Sequence, residues 1–313
     1  MSVTTGDLRQ VFQGPVHAPD DPGYHDLRTS LKLRVNPEPA LVAEASDVAD
    51  VQAALRWARE RGIPFALQAT GHGTFVPSDG GLLVRIGRMG GVLVDPDLRI
   101  AEVQAGTRWG DVVSAAAQYG LAPLSGTAHD VGVVGYTIGG GIGWIARPFG
   151  YAADSMLSAE VVTTDGELVK ANDDEHADLF WALRGGGASL GIVTSLRFRL
   201  YPLEKVYGGN MLFPIERAAE AFAFYAGWAE PAELTTAVVV QRNSPLESVP
   251  GRCWPSADCT RAPRTAASAR SSRCWTSQAR HCTTGSRRPR SRTRRSARRA
   301  RRTSSCSTSC RNR

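Results

Sequence analysis

Cysteine is missing from the first 247 residues: Cys253, Cys259, Cys274, Cys282, Cys306 and Cys310 all fall in the last part of the 313-residue chain. A body without cysteine draws nothing from an oxidising compartment, and the start MSVTTGDLRQ lacks the basic start and the apolar core of a secretory signal. The expected location is the cytoplasm. No run of roughly 18 or more apolar residues occurs, so no membrane-spanning helix is expected either.

A third absence is local. Residues 248–313 hold 18 arginines, no lysine and a single acidic residue, Asp258. This stretch carries +17, and subtracting it from the formal net charge of +7 leaves −10 for residues 1–247. Of the Val, Leu, Ile, Met and Phe set it has only Val249, too little to assemble a core. A basic arm that neutralises phosphates would have such a charge. Plain disorder is a second reading, and out-of-frame translation of a GC-rich gene is a third. The joint arrival of Arg, Ser, Thr, Ala, Pro, Cys and Trp, with Lys, Leu, Ile and Phe gone, favours the third, in which case the native C-terminal half is missing.

What is present over residues 1–200 alternates helix and strand. Ser46 is the predicted N-cap of a helix whose apolar face is Val48, Val51, Leu55 and Ala58 and which Gly62 terminates. Pro64 opens the strand PFALQA, which runs into the loop TGHG. Further strands are expected at LLVRI (82–86) and IAEVQA (100–105). A helix to about Tyr119 follows, with Asp111 in its first turn, where a carboxylate suits the free amides. The stretch AEVVTTDGELVKA (159–171) reads as a hairpin, because Asp165-Gly166 tolerates the positive φ of a tight turn between two apolar runs. The helix DLFWALRG and the strand IVTSLRFRL lead to Pro202. Crossovers mixed with hairpins predict an α+β fold rather than a regularly alternating parallel sheet. The expected divisions are an N-terminal segment 1–33, a domain over 34–205, the start of a second α+β domain over 206–247 and the disordered basic tail 248–313. The third of these holds a helix near Glu216–Trp228 and the strand TTAVVVQ.

Three glycine clusters carry the chemistry. The first is Gln68-Ala69-Thr70-Gly71-His72-Gly73-Thr74, the second runs from Gly135 to Gly143 and the third from Gly185 to Gly191. Main-chain amides in glycine-containing turns can converge on an anion, and glycine admits close approach of a phosphate. Each cluster alone is also an ordinary turn or helix cap. Together they point to a long ligand against the backbone, such as a dinucleotide. A nicotinamide-type site fits poorly, because Gly139-Gly140-Gly141-Ile142-Gly143 lacks the G-x-G-x-x-G spacing and the acidic residue that follows, Asp165, lies in the hairpin turn.

In order and spacing, ALVAEASDVADVQAALRWARERGIPFALQATGHG, VQAGTRWGDV, VGVVGYTIGGGIGWIARPFGYAADSMLSAEVVTTDGEL and DLFWALRGGGASLGIVTSLRFRLYP resemble the para-cresol methylhydroxylase-type FAD-binding domain of the vanillyl-alcohol oxidase family. The likeness covers about residues 36–247 and is nearest to the berberine-bridge-enzyme-like branch. It implies two α+β subdomains that hold FAD, followed by a substrate domain, of which only the start is present. It further implies that the loop at Gln68–Thr74 wraps the pyrophosphate and that His72 bonds covalently to the 8α-methyl of the flavin. The other cofactor contacts it implies are Gln68, Ala69, Thr70, Gly71, Gly73, Thr74, Gly132, Val133, Gly135, Tyr136, Gly139, Gly140, Gly141, Gly143, Asp154, Gly187, Gly191, Ile192 and Val193.

The chain departs from that pattern in three places. Gln68-Ala69-Thr70-Gly71-His72 stands where many members have Arg-(Ser or Gly)-Gly-Gly-His, which removes one charge near the phosphates. Ala128 stands where doubly linked members have cysteine, so a single covalent link is expected. Gly-Ala-Ser-Leu-Gly replaces the commoner Gly-Gly-Asn-Phe-Gly in the third cluster. His129 is read as a structural or exposed histidine rather than a general base. His176 lies in the acidic run DDEHAD, and no metal is expected. The implied activity is hydride transfer from a small organic substrate to FAD, reoxidised by O2 or another acceptor, without membrane or nucleic-acid partners. The alternatives are an inactive truncated fragment of such an enzyme, or a nucleic-acid-binding protein acting through the basic tail.

Overall fold

The computed structural model describes residues 5–31, 34–240 and 253–260, and the chain divides into two compact units after Glu204. The first unit contains two lobes, each with its own sheet. In the first lobe β1 (Val16–His17), β2 (Leu41–Glu44), β3 (Phe65–Gln68) and β4 (Leu82–Arg85) line up in the order β1-β2-β4-β3. β2, β4 and β3 run parallel, and β1 joins antiparallel. A parallel sheet is covered on both faces, so its strands are continuous apolar runs. Leu41, Val42 and Ala43 are accordingly all buried, as are Leu82, Leu83 and Val84. Helix α1 (Val48–Glu60) packs Val51, Ala54, Trp57 and Ala58 on one face, while Val42 and Leu83 meet Tyr24 on the other.

The start of α1 corrects the expected cap by one residue. Asp47, not Ser46, is the N-cap, and its side chain accepts from the Asp50 N–H at 2.9 Å. The Ser46 N–H instead donates to the Asp50 carboxylate at 2.9 Å. Two acidic side chains three residues apart thus satisfy backbone amides in both directions, an arrangement that a lone serine cannot make. At the far end the helix stops before Gly62, as expected.

The second lobe is an antiparallel sheet of β5 (Val92–Asp95), β6 (Ile100–Gln104), β7 (Met156–Val162), β8 (Leu168–Ala171) and β9 (Ile192–Arg199), in the order β5-β6-β9-β7-β8. The β7–β8 hairpin is the one expected from Asp165-Gly166, closed by the Thr163 N–H donating to the Glu167 carbonyl at 2.9 Å. β5 was not expected from the sequence, because its four residues are all partly exposed or exposed and carry no buried stripe. Helices α2 (Trp109–Ala117), α3 (Val133–Ile138) and α4 (Ala177–Leu183) set Trp109, Val112, Val133, Phe180 and Leu183 into one core with Phe198 of β9. Two lobes of mixed α and β structure are what the sequence predicts.

The second unit contains β10 (Tyr207–Pro214), α5 (Ala218–Gly227), β11 (Leu234–Val238) and β12 (Cys253–Thr260), the strands ordered β10-β12-β11 and antiparallel. β12 lies in the stretch expected to be without structure, and for its eight residues that expectation is corrected. The ladder is made by main-chain groups and needs no apolar run. The remainder of the tail, and with it the arginine-arm and reading-frame interpretations, lies outside the described residues. Among the described residues no helix is long and apolar enough to cross a membrane.

Candidate functional site

β3 ends at Gln68, and the loop that follows leaves the carboxyl-terminal edge of the parallel strands. At that edge Gln68 and Glu44 are both in register with Arg85. The Arg85 guanidinium donates to the carbonyls of Leu27 at 2.9 Å and Thr29 at 3.5 Å, tying the end of the helix Tyr24–Arg28 and the residue after it to the sheet. Burial lowers the Arg85 pKa, with Glu44 opposing. Under this strap Gly71 fits without clearance. A Cβ there would stand 2.5 Å from Gln68 Nε2 and 3.4 Å from the Leu31 nitrogen.

Thr70 connects the first cluster to the second. Its hydroxyl oxygen accepts from the Gly132 N–H at 3.3 Å and lies 2.9 Å from His72 Nδ1. The other ring nitrogen, Nε2, is 3.5 Å from a carboxylate oxygen of Asp130. His72 is thus met on both edges, with 30% of its side chain still exposed. Ala69 packs at the edge of the first lobe's core, whereas Gly73 is open and Thr74 half-buried.

The second cluster is not one continuous bend. Gly135 and Tyr136 lie inside α3, and the turn begins only at Gly139. Val133, Val134, Thr137 and Ile138 are all buried, and this stripe outweighs the roughly 1 kcal/mol that glycine costs a helix interior. Beyond it the Gly140 and Gly141 carbonyls accept from Ala153 at 2.9 Å and Ala152 at 2.8 Å. Gly143 lies against the Ser125 carbonyl, where a Cβ would not fit. The Tyr136 ring is walled by Gly126 and Gly141 and meets Trp109 edge-on, with centroids 5.5 Å apart. Burial pushes the Tyr136 phenol up to about 12, so it stays protonated at neutral pH.

Gly141 is where this packing is tightest. Its φ is +71°, and a Cβ would meet the Tyr136 ring at 2.5 Å and Ala152 Cβ at 2.8 Å. Left-handed backbone and overpacking together make Gly141→Ala cost about 2–4 kcal/mol. A urea titration should show this as a lower midpoint, and a change below about 0.5 kcal/mol would mean that the ring has room to move.

The third cluster is fastened to the second. The amides of Gly185 and Gly187 both donate to the Ile138 carbonyl, at 3.1 and 3.0 Å. Gly191 leads into β9, whose first residues Ile192 and Val193 are buried. The first cluster therefore reaches Gly132, which opens α3, and the third reaches Ile138 at the end of the same helix. Asp154 is exposed and acts locally, its carboxylate accepting from the Tyr151 N–H at 2.8 Å to close its own turn. His129 is exposed, with its carbonyl accepting from Gly110, and Ala128 is half-buried. His176 caps α4 and lies 3.0 Å from the Lys170 carbonyl. Among the described residues no group of three or more His, Cys, Asp and Glu could hold a metal ion.

Two buried polar atoms in these clusters find no partner among the described residues: Gln68 Nε2 and the Tyr136 hydroxyl. Both can donate a hydrogen bond, and buried donors ordinarily have acceptors. An acceptor-rich ligand lying along the glycine segments would supply them, so the residues present fit a dinucleotide. Asp130 and Arg85 belong to the site although the sequence gives no sign of it. Neither has a local signature, since one contact depends on two loops meeting and the other on strand register.

Residues 39–172 match a family described as an FAD binding domain, a stretch that includes the first two glycine clusters. Among curated proteins, the chain is 32% identical over 223 residues to the uncharacterized FAD-linked oxidoreductase YgaK of Bacillus subtilis, covering 69% of this chain and 49% of the relative. It is 33% identical over 196 residues to (R)-6-hydroxynicotine oxidase of Paenarthrobacter nicotinovorans, covering 62% and 43%. Among solved structures, 6-hydroxy-D-nicotine oxidase from Arthrobacter nicotinovorans superposes with a TM-score of 0.73 at 26% identity, over 81% of this chain and 56% of that one. The chain spans about half the length of the curated relatives it matches.

Proposed function

We propose that this chain, whose residues 39–172 match an FAD binding domain and which is similar to FAD-linked oxidoreductases, is the flavin-holding part of an oxidase or dehydrogenase of a small organic substrate, with His72 as the covalent anchor. FAD supplies the redox chemistry when bound, taking hydride from a substrate C–H bond and passing electrons to O2 or another acceptor. The protein's share is to bind and orient.

Gln68 and the amides of the first glycine loop are suited to the diphosphate, and Thr70 with Asp130 holds the His72 imidazole in place. A neutral imidazole nitrogen is a competent nucleophile. Ala128, where a thiol would be needed, supports one link rather than two. The names of the relatives, an oxidase of 6-hydroxynicotine and an oxidase of xylooligosaccharide among them, support a small organic molecule or sugar as substrate. No general base is assigned.

The observation that carries this reading is His72 itself: it stands in a glycine loop at the end of a parallel strand, with both ring nitrogens met by side chains, one of them from a distant segment. The test is to purify the full chain, precipitate it with acid and record the flavin absorbance of the pellet. A yellow pellet is expected. Flavin released wholly to the supernatant would refute the anchor, and protein that never takes up FAD would refute the whole assignment.

A further inference from the structure

We propose that Asp130 is a positioning residue for His72, holding the ring's proton on Nε2 so that Nδ1 keeps its lone pair; this rests on the reading of His72 as the flavin anchor. A neutral imidazole carries one proton, and which nitrogen bears it is decided by the partners of both. The Nε2 edge faces a carboxylate oxygen of Asp130 at 3.5 Å, and an ionised carboxylate can only accept. A proton on Nε2 makes that contact attractive. With the proton on Nδ1, the Nε2 lone pair would face the carboxylate, and two acceptors would oppose each other.

The opposite edge supports the same assignment. The Thr70 hydroxyl oxygen already accepts from the Gly132 N–H at 3.3 Å, and its own proton is free to be donated to Nδ1 at 2.9 Å. Directions then run one way, from Gly132 N–H to Thr70 and from Thr70 O–H to Nδ1, with the Nε2–H edge facing Asp130 at 3.5 Å. Nδ1 is the nitrogen without a proton and hence the one able to bond the flavin methyl; that carbon and the imidazole would each give up a proton, and the two electrons left on the flavin would pass to O2 or another acceptor, while Thr70 and Asp130 fix the plane of the ring. Asp130 keeps 45% of its side chain exposed, so removing it does not open the core.

The experiment uses the full chain produced without a riboflavin supply, so that His72 carries no flavin, and labelled with 15N-histidine, at a pH where the ring is neutral, with the His72 signals identified by their loss in His72→Ala. The wild-type ring is expected in the Nε2–H form. Asp130→Ala should convert it to a mixture containing the Nδ1–H form, and Asp130→Glu should restore it. When saturating FAD is added, acid-stable flavin should form about tenfold more slowly in Asp130→Ala. A wild-type ring in the Nδ1–H form, or an unchanged tautomer in Asp130→Ala, would overturn the proposal. If the tautomer depends on Asp130 but no acid-stable flavin ever forms, the anchor reading fails and the proton assignment stands.

Discussion

His72→Ala is expected to leave no acid-stable flavin on the chain while hardly disturbing its folding. The substitution deletes both nitrogens from a side chain that is 30% exposed and whose polar neighbours are Thr70 and Asp130. Neither partner becomes a buried orphan, because Asp130 reaches water and the Thr70 oxygen keeps the Gly132 amide. A change at a partly buried side chain that leaves no orphaned group shifts stability by about 1 kcal/mol. FAD should still bind through the glycine segments, so that the purified variant is yellow and its colour moves to the supernatant in acid. The redox readout is independent of colour. A polar nitrogen substituent on the flavin raises its reduction potential, and the variant's bound flavin should be the weaker hydride acceptor. A yellow acid pellet from His72→Ala would assign the bond to another residue.

Trp109→Ala should destabilise the chain more than either His72→Ala or Gly141→Ala. Trp109 is 1% exposed, opens α2, and meets Tyr136 edge-on at 5.5 Å and Phe198 at 5.8 Å. Truncating a buried indole costs about 3–5 kcal/mol through lost transfer energy and the cavity left behind. Set against a total stability of roughly 5–15 kcal/mol for an ordinary domain, that is a large fraction. The loss also reaches the site, since Trp109 supports the ring of Tyr136, which in turn packs against Gly126 and Gly141. Trp109→Phe separates packing from hydrogen bonding. The indole Nε1 finds no partner among the described residues, so phenylalanine should recover most of the stability. Urea midpoints of the two variants decide it, and a loss under about 1 kcal/mol in Trp109→Ala would place the core's support elsewhere.

Much of the first unit was legible because its signals are local. The β7–β8 hairpin follows from Asp165-Gly166 between apolar runs, and α1 from Val51, Leu55 and Ala58 recurring on one side. What the sequence concealed depends on tertiary context. α3 forms through a region rich in glycine because its buried residues outweigh local propensity, and β5 pairs with β6 although none of its residues is fully buried. The cap of α1 is Asp47 rather than Ser46 because Asp50 reciprocates. In the site, the loop Gln68–Thr74 could be picked out from its composition and its place after a strand. The contact of His72 with Asp130 could not, since no periodicity links two loops that meet only once both sheets are built.

Ala105, Val162 and Ile192 belong by chain to the antiparallel sheet, at or just past the ends of β6, β7 and β9, yet they are buried with Leu41, Leu82 and Val84 of the parallel one. Each sheet therefore depends on the other to close its interior. Amide protons on both sides should lose their protection from exchange together rather than in two steps, because neither half can open without exposing apolar surface of its neighbour. The His72 loop and the Gly132 amide it reaches come from opposite sides of that boundary, so the stiffness of their junction is set by the cohesion of both halves.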